Sequence, residues 1–280
     1  MHWQIRDQKL ELSGPRVMGV LNITPDSFSD GGRFIALEDA LRQADRLIAE
    51  GADILDIGGE STRPGSRRVS VRDEIARVVP VIESLHRKYD IPISIDTTKS
   101  EVAAAAIEAG AEIINDISGM RFDEQLANVA AETRSGLILM HSRGSFEEMH
   151  SQEPVEDILA DVVRDLRCSV DAARRAGVND AQIALDVGIG FGKTLSQNLE
   201  LIAKLDKLKA EFPNFPFLVG ASRKSFVGKL LGGVSAGERL NGSLAAAAIA
   251  AWNGADILRV HDVKETVEML KVVRAARDQL

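Results

Sequence analysis

Cysteine is nearly absent. Of 280 residues only Cys168 is one, so no disulfide can form within the chain. A single cysteine also cannot build a structural zinc site. Disulfide frameworks belong to oxidising compartments, so this scarcity points to a reducing cytoplasm. The opening stretch Met1-His2-Trp3-Gln4-Ile5-Arg6-Asp7 lacks the apolar core of a secretion signal. No uncharged apolar run is long enough to span a bilayer. Positive charge is not in excess either: the net charge is −8 and the pI is near 5.3. That argues against a general binder of nucleic acid or of anionic membranes. An anionic substrate stays possible, because a few focused Arg and Lys residues can hold one locally. Linkers, low-complexity tracts and shifts of composition are missing as well, so one domain over residues 1–280 is expected.

What is present is an ordinary globular mixture, 45% hydrophobic and 27% charged, with 23 glycines. Short apolar runs recur at Val17 to Leu21, Ile54 to Ile57, Ile91 to Ile95, Ile113 to Asn115, Leu137 to Met140, Ile183 to Leu185, Phe217 to Val219 and Ile257 to Val260. Most are continuous rather than alternating, as parallel strands covered on both faces require. Amphipathic stretches separate them: Leu37 to Glu50, Val71 to Lys88, Lys99 to Ala109, Asp123 to Arg134, Val155 to Ala176, Gln197 to Leu208, Glu238 to Trp252 and Val263 to Arg277. The joints Glu50-Gly51-Ala52-Asp53, Ala109-Gly110-Ala111-Glu112 and Asn253-Gly254-Ala255-Asp256 each end a helix on a glycine that tolerates left-handed backbone. Eight β/α units can close into a barrel or lie as a doubly wound sheet. Polar residues follow nearly every strand here, instead of two or three at one switch point. The expectation is therefore an α/β fold, a single (β/α)₈ TIM barrel with its active site at the C-terminal strand ends.

The loop after the first strand, Asn22-Ile23-Thr24-Pro25-Asp26-Ser27-Phe28-Ser29-Asp30-Gly31-Gly32, sets one aromatic among polar residues. It reads as a solvated turn or as a lid over a substrate. After the second strand comes Asp56-Ile57-Gly58-Gly59-Glu60-Ser61-Thr62-Arg63-Pro64-Gly65. Arg63 and two hydroxyls could bind an anion, or Arg63 could pair with Asp56 or Glu60. Asp96, Asn115-Asp116 and Asp186 end apolar strands, where a carboxylate is costly without a partner. Asp96 alone could be a helix cap. Together with Lys224 in Ser222-Arg223-Lys224-Ser225, these groups suit a heterocycle with adjacent N–H and NH₂ donors, as in guanine or pterin. Arg259 and His261 share a face by period two and precede a helix start, a plausible pyrophosphate site, unless Arg259 pairs with Asp256 or Asp262. The stretch Gly188-Ile189-Gly190-Phe191-Gly192-Lys193-Thr194 fails as a nucleotide loop, because Val187 and Lys193 stand where glycines are needed. Phe191 fits better beside a flat ligand. His86 reads as a surface residue and Met140-His141 is ambiguous. No HExxH spacing and no Gly-x-Ser-x-Gly elbow occur.

The two long loops resemble, in order, the first and second signatures of dihydropteroate synthases. Ser222-Arg223-Lys224-Ser225 and Arg259-Val260-His261-Asp262-Val263 are similar to later ones. The resemblance runs from about Val17 to Met269. It implies a barrel, usually a homodimer, that uses Mg²⁺ to join dihydropterin pyrophosphate to p-aminobenzoate. It also implies roles for particular residues. Asp96, Asn115, Asp186 and Lys224 would bind the pterin. Asn22, Arg63, Arg259 and His261 would hold pyrophosphate, with Asn22 also at the Mg²⁺. Thr62, Pro64, Phe28, Phe191 and Ser222 would shape the p-aminobenzoate pocket. Asp96, Lys224, Arg259 and His261 are the expected catalytic set. Val187 replaces a more frequent proline and Ile189 a more frequent aromatic, which bears on the geometry of that loop alone. Two other readings share part of this pattern. A pterin-binding methyltransferase acting from methyltetrahydrofolate to a corrinoid would have no pyrophosphate to hold, so Arg63, Arg259 and His261 argue against it. A non-catalytic pterin-binding protein would not need the whole ligand set.

Overall fold

A computed structural model describes residues 1–23, 32–62, 65–149 and 152–279. A hairpin of β1 (His2–Ile5) and β2 (Gln8–Glu11) comes first. Eight parallel strands follow: β3 (Arg16–Asn22), β4 (Ile54–Gly58), β5 (Ile93–Asp96), β6 (Ile113–Asp116), β7 (Gly136–Met140), β8 (Ile183–Asp186), β9 (Phe217–Val219) and β10 (Ile257–Val260). Each pairs with the next, and β10 pairs with β3, so the sheet closes into a barrel. The fold is thus the (β/α)₈ barrel that the apolar runs lead one to expect. β5 begins two residues later than its apolar run, because Pro92 has no N–H to give the ladder and only accepts, from Leu55 N at 3.0 Å.

The outer layer holds α1 (Gly32–Ala49), α2 (Val71–Lys88), α3 (Ser100–Glu108), α4 (Gln125–Thr133), α5 (Ile158–Arg175), α6 (Leu195–Ala203), α7 (Leu205–Glu211), α8 (Ser225–Leu230), α9 (Leu240–Trp252) and α10 (Val263–Arg277). The joints after α1, α3 and α9 adopt left-handed backbone at Gly51, Gly110 and Gly254, with φ of 99°, 119° and 102°. In each, the following alanine N–H reaches back to the last turn, as Ala52 does to Leu47 O at 3.0 Å. The stretch expected as one helix over Gln197 to Leu208 is two, broken at Lys204. Asn253 stabilises the break by donating to Ile202 O at 2.9 Å and Ala203 O at 3.1 Å. No described helix is long and apolar enough to cross a membrane.

Strand register decides what fills the barrel. Side chains alternate in and out, so inward positions recur every second residue. Met18, Ile54, Ile113, Ile138, Ala184, Leu218 and Ile257 form one inward layer. Trp3 and Ile5 of the hairpin join the same buried cluster and seal it from below. Trp3 is fully buried and donates its indole N–H to Gln182 O at 2.7 Å. Gly136 makes room for this plug: a Cβ there would stand 2.8 Å from Ile5 and 3.0 Å from Trp3. Two residues further along the strands, the inward positions become Asp56, Asp96, Asn115, Asp186 and Arg259. The interior is apolar below and polar above.

Trp3→Ala should therefore lower the unfolding free energy by about 3–5 kcal/mol, the usual cost of emptying a large aromatic site. Urea denaturation checks this. A loss below about 1 kcal/mol would mean that the hairpin is not part of the cooperative core.

Candidate active site

The polar layer is organised by Arg259. Its Nε donates to Asp56 Oδ2 and its Nη2 to Asp96 Oδ2, each at 2.6 Å. Asn115 Nδ2 donates to Asp56 Oδ2 at 3.2 Å. Asp56 is fully buried, and Arg259 is the one cation in an ion pair with it among the described residues. Burial raises the Asp96 pKa to about 7; Arg259 works against the rise and the charge of Asp56 adds to it. Asp96 is not a helix cap, since the α3 N-cap is Lys99. Nor does Arg259 pair with the acids nearest in sequence. Asp256 takes Lys209 at 2.6 Å, and Asp262 takes Arg223 Nε at 3.0 Å.

A second group forms around the loop after β8. Asp186 Oδ1 accepts the Gly188 N–H at 2.7 Å. Burial holds its pKa above the usual carboxylate range, against the pull of Lys224. Burial likewise lowers the Lys224 ammonium to about 8, with Asp186 opposing. Lys224 Nζ donates to Ile189 O and lies 4.3 Å from the centre of the Phe191 ring. Gly190, at φ 84°, gives the lysine passage, because a Cβ there would come within 2.9 Å of Lys224 Cδ. Lys193 has a structural part: its Nζ donates to His141 O at 3.2 Å, Gly188 O at 2.8 Å and Phe191 O at 3.0 Å. It ties the loop into one unit with the end of β7.

Ser222 and His261 pair across the ends of β9 and β10. The His261 N–H donates to Ser222 Oγ at 3.2 Å, and Nδ1 lies 3.1 Å from the same oxygen. Asn22 faces the gap left by Gly58: a Cβ on Gly58 would be 3.6 Å from Asn22 Oδ1 and 3.8 Å from Asp96 Oδ2. Thr62 is half-buried in the loop after β4. Phe28, Arg63 and Pro64 lie outside the described residues.

One of the expected groupings differs from what is observed. Asp116 ends β6 but points away from the barrel axis, because it follows the inward Asn115. It accepts from Ser118 N at 2.8 Å and Ser118 Oγ at 2.7 Å, and so shapes a turn. Asp56, treated in the sequence only as a partner for Arg63, sits at the centre of the polar layer. Its signal is the one that marked Asp96, a carboxylate inside an apolar strand. His141, ambiguous in the sequence, is buried beside Asp161 and Asp165. Their ligand atoms lie within 4.8 Å of one another, close enough to share a metal ion.

The Asp96 carboxyl should titrate near pH 7 when followed by ¹³C NMR, and higher still in Arg259→Met, where the opposing cation is gone. The linkage sign follows from the raised value. The stability Asp96 contributes is present below about pH 4 and is lost as pH rises through about 7. Asp96→Asn should flatten that part of the stability profile. A wild-type midpoint below about pH 5 would refute the effect of burial.

Comparison with known proteins follows the same layout. Residues 18–261 match the family described as pterin binding enzyme. The dihydropteroate synthase of Escherichia coli (strain K12) is 48% identical over 268 residues, covering 95% of this chain and 93% of that protein. The Yersinia pestis dihydropteroate synthase, crystallised as a complex with a sulfonamide drug, superposes with a TM-score of 0.92 at 45% identity, covering 99% of this chain and 100% of that one. The Xanthomonas albilineans dihydropteroate synthase with 4-aminobenzoic acid gives 0.91 at 42% identity, covering 99% of each chain. At this identity and coverage, with the barrel closed strand for strand, the chain belongs to the pterin-binding enzymes and, within them, to the dihydropteroate synthases.

Proposed function

We propose that this chain, as one barrel domain over residues 1–280, condenses 6-hydroxymethyl-7,8-dihydropterin pyrophosphate with p-aminobenzoate to give 7,8-dihydropteroate and pyrophosphate. The observation that carries the reading is the polar layer itself. Carboxylates, an amide and two cations sit at the strand ends above a sealed apolar floor. Asp186 and Asn115 present acceptors to the ring N–H and NH₂ donors of the pterin. Lys224, close to Asp186, adds a donor, and Asp96, balanced between its two forms near neutrality, can accept or donate. Phe191 offers a flat face for the p-aminobenzoate ring, with Ser222, Thr62, Phe28 and Pro64 completing that pocket. Arg259, His261 and Arg63 receive the pyrophosphate charge.

Mg²⁺ takes oxygen ligands. Asn22 Oδ1 and the Asp96 carboxylate flank the opening above Gly58, so the donors present there fit that ion. Bound there, Mg²⁺ supplies charge neutralisation for the pyrophosphate oxygens. The protein's own part is to orient the methylene carbon and to stabilise the departing anion with Arg259 and His261, a term worth about 3 kcal/mol per donor. Cys168 lies exposed on α5, outside the barrel, and is no nucleophile for this reaction. We infer an SN1-like path without a covalent enzyme intermediate, in which the electron-rich pterin carries the positive character. A homodimer is supported by the exposed apolar side chains Leu230, Leu231, Ile249 and Trp252 on or beside α8 and α9. The lone cysteine supports a reducing cytoplasm as its compartment.

Incubation with both substrates and Mg²⁺ should yield dihydropteroate and an equal amount of pyrophosphate. Asp186→Ala should weaken pterin binding by about 1–3 kcal/mol in calorimetry, the cost of leaving buried donors unpaired. Pterin binding without pyrophosphate release would defeat the assignment.

The order of bond changes has its own test. Deuterium at the methylene carbon should give a clearly normal secondary isotope effect, because the carbon flattens as pyrophosphate leaves. A value at or below unity, or a pterin adduct trapped on the protein, would sink the dissociative path.

A further inference from the structure

His141 follows β7 directly, but its side chain turns away from the mouth toward α5. It is fully buried. Asp161 and Asp165 lie one helical turn apart on α5, so both carboxylates reach the same side. Nε2 of His141 stands 3.3 Å from Asp161 Oδ2 and 3.5 Å from Asp165 Oδ2. Neither ring nitrogen has a hydrogen-bond partner, and Asp161 Oδ2 has none either. Buried polar atoms left in this way are rare and ask for a ligand.

The remaining carboxylate oxygens are occupied. Arg164 holds Asp161 Oδ1, and its Nε donates to Asp165 Oδ1 at 2.9 Å. That grip turns both Oδ2 atoms toward the imidazole, as an outer-shell partner does for metal ligands. Arg143 Nε is 3.5 Å from Asp161 Oδ2, while its Nη1 is committed to Glu153 O at 2.7 Å. Donors bound at about 2.0–2.2 Å in a tetrahedron stand about 3.3–3.6 Å apart, which matches the two distances from Nε2. A cavity of about 610 Å³ between α4 and α5, lined by Ser118, Asn128, His141, Asp165 and Cys168 among others, gives access.

We propose that His141 Nε2, Asp161 Oδ2 and Asp165 Oδ2 bind one divalent d-block cation, of the zinc, cobalt or manganese kind, with its open position facing this cavity. The imidazole selects against Mg²⁺, which prefers oxygen alone. The site lies behind β7 and is independent of the reaction proposed above. It is nonetheless tied to the barrel interior. The His141 N–H donates to Asp186 O at 2.9 Å, and its carbonyl accepts from Lys193, the residue that holds the Phe191 loop. A cation here would anchor the imidazole of a residue whose backbone supports both Asp186 and Phe191.

Cobalt(II) titration of the full chain, freed of metal by a chelator, tests the assignment. One equivalent should bind with visible d–d absorption, Zn²⁺ should displace it, and a large excess of Mg²⁺ should not. Asp165→Asn and His141→Gln should each weaken binding more than about tenfold, with circular dichroism unchanged. Asp165 sits at the helix surface, 35% exposed, so its variant keeps the test valid if the His141 variant does not fold. Asn22→Ala should leave Co²⁺ binding unaltered. The proposal is overturned by the absence of a saturable band, by a band that persists in Asp165→Asn, or by one that disappears in Asn22→Ala, which would put the ion at the mouth.

Discussion

The grip of Arg259 on Asp56 and Asp96 is the constraint on which the interior depends. Two carboxylates near the axis of a closed barrel could not both stay charged without a cation between them. Arg259 meets that need from β10, the strand that closes the sheet. One ion pair thus joins strands 203 residues apart and makes the upper half of the barrel tolerate charge. Even so, three groups carrying two negative charges and one positive leave a net negative site. Asp96, the more accessible of the two acids, holds its proton to a higher pH chiefly because it is buried, and the charge of Asp56 adds to that effect.

That imbalance also describes what such a site can accept. N–H donors brought to Asp96 would offset the excess, as Arg259 does. Lys224 and Asp186 repeat the arrangement on the other side, with burial reducing the charge of each and mutual attraction restoring it. The chain as a whole carries a charge of −8, so attraction of a polyanion must come from these few cations set in a low-dielectric cleft.

Much of this was readable in the amino-acid order. Parallel strands inside a barrel are covered on both faces, so their continuous apolar runs stand out, and a carboxylate at the end of one is conspicuous. Asp96 and Asp186 were found that way. Asp56 is less conspicuous, because it lies inside β4 and not at its end, next to a polar stretch that contains Arg63. Parity separates Asn115 from Asp116, and it becomes usable only when the register is known. The hairpin of β1 and β2 leaves no mark in the sequence, because four-residue strands such as His2–Ile5 are too short to display a period. The break at Lys204 depends on Asn253, some fifty residues away, and local periodicity holds no trace of it. His141 gave no signal alone, since its partners Asp161 and Asp165 belong to the next helix.

The seal beneath the barrel has a consequence for how the chain acquires its shape. Trp3 closes on Gln182, 179 residues further along. During synthesis the hairpin precedes the strands it covers, and the indole N–H of Trp3 lacks its acceptor until the start of β8 has left the ribosome. The sheet itself cannot close until β10 follows. Until then, an indole and an isoleucine that end fully enclosed have an incomplete barrel to pack against. Their enclosure is a late, long-range step, of the kind that slows folding through the entropy of closing a large loop.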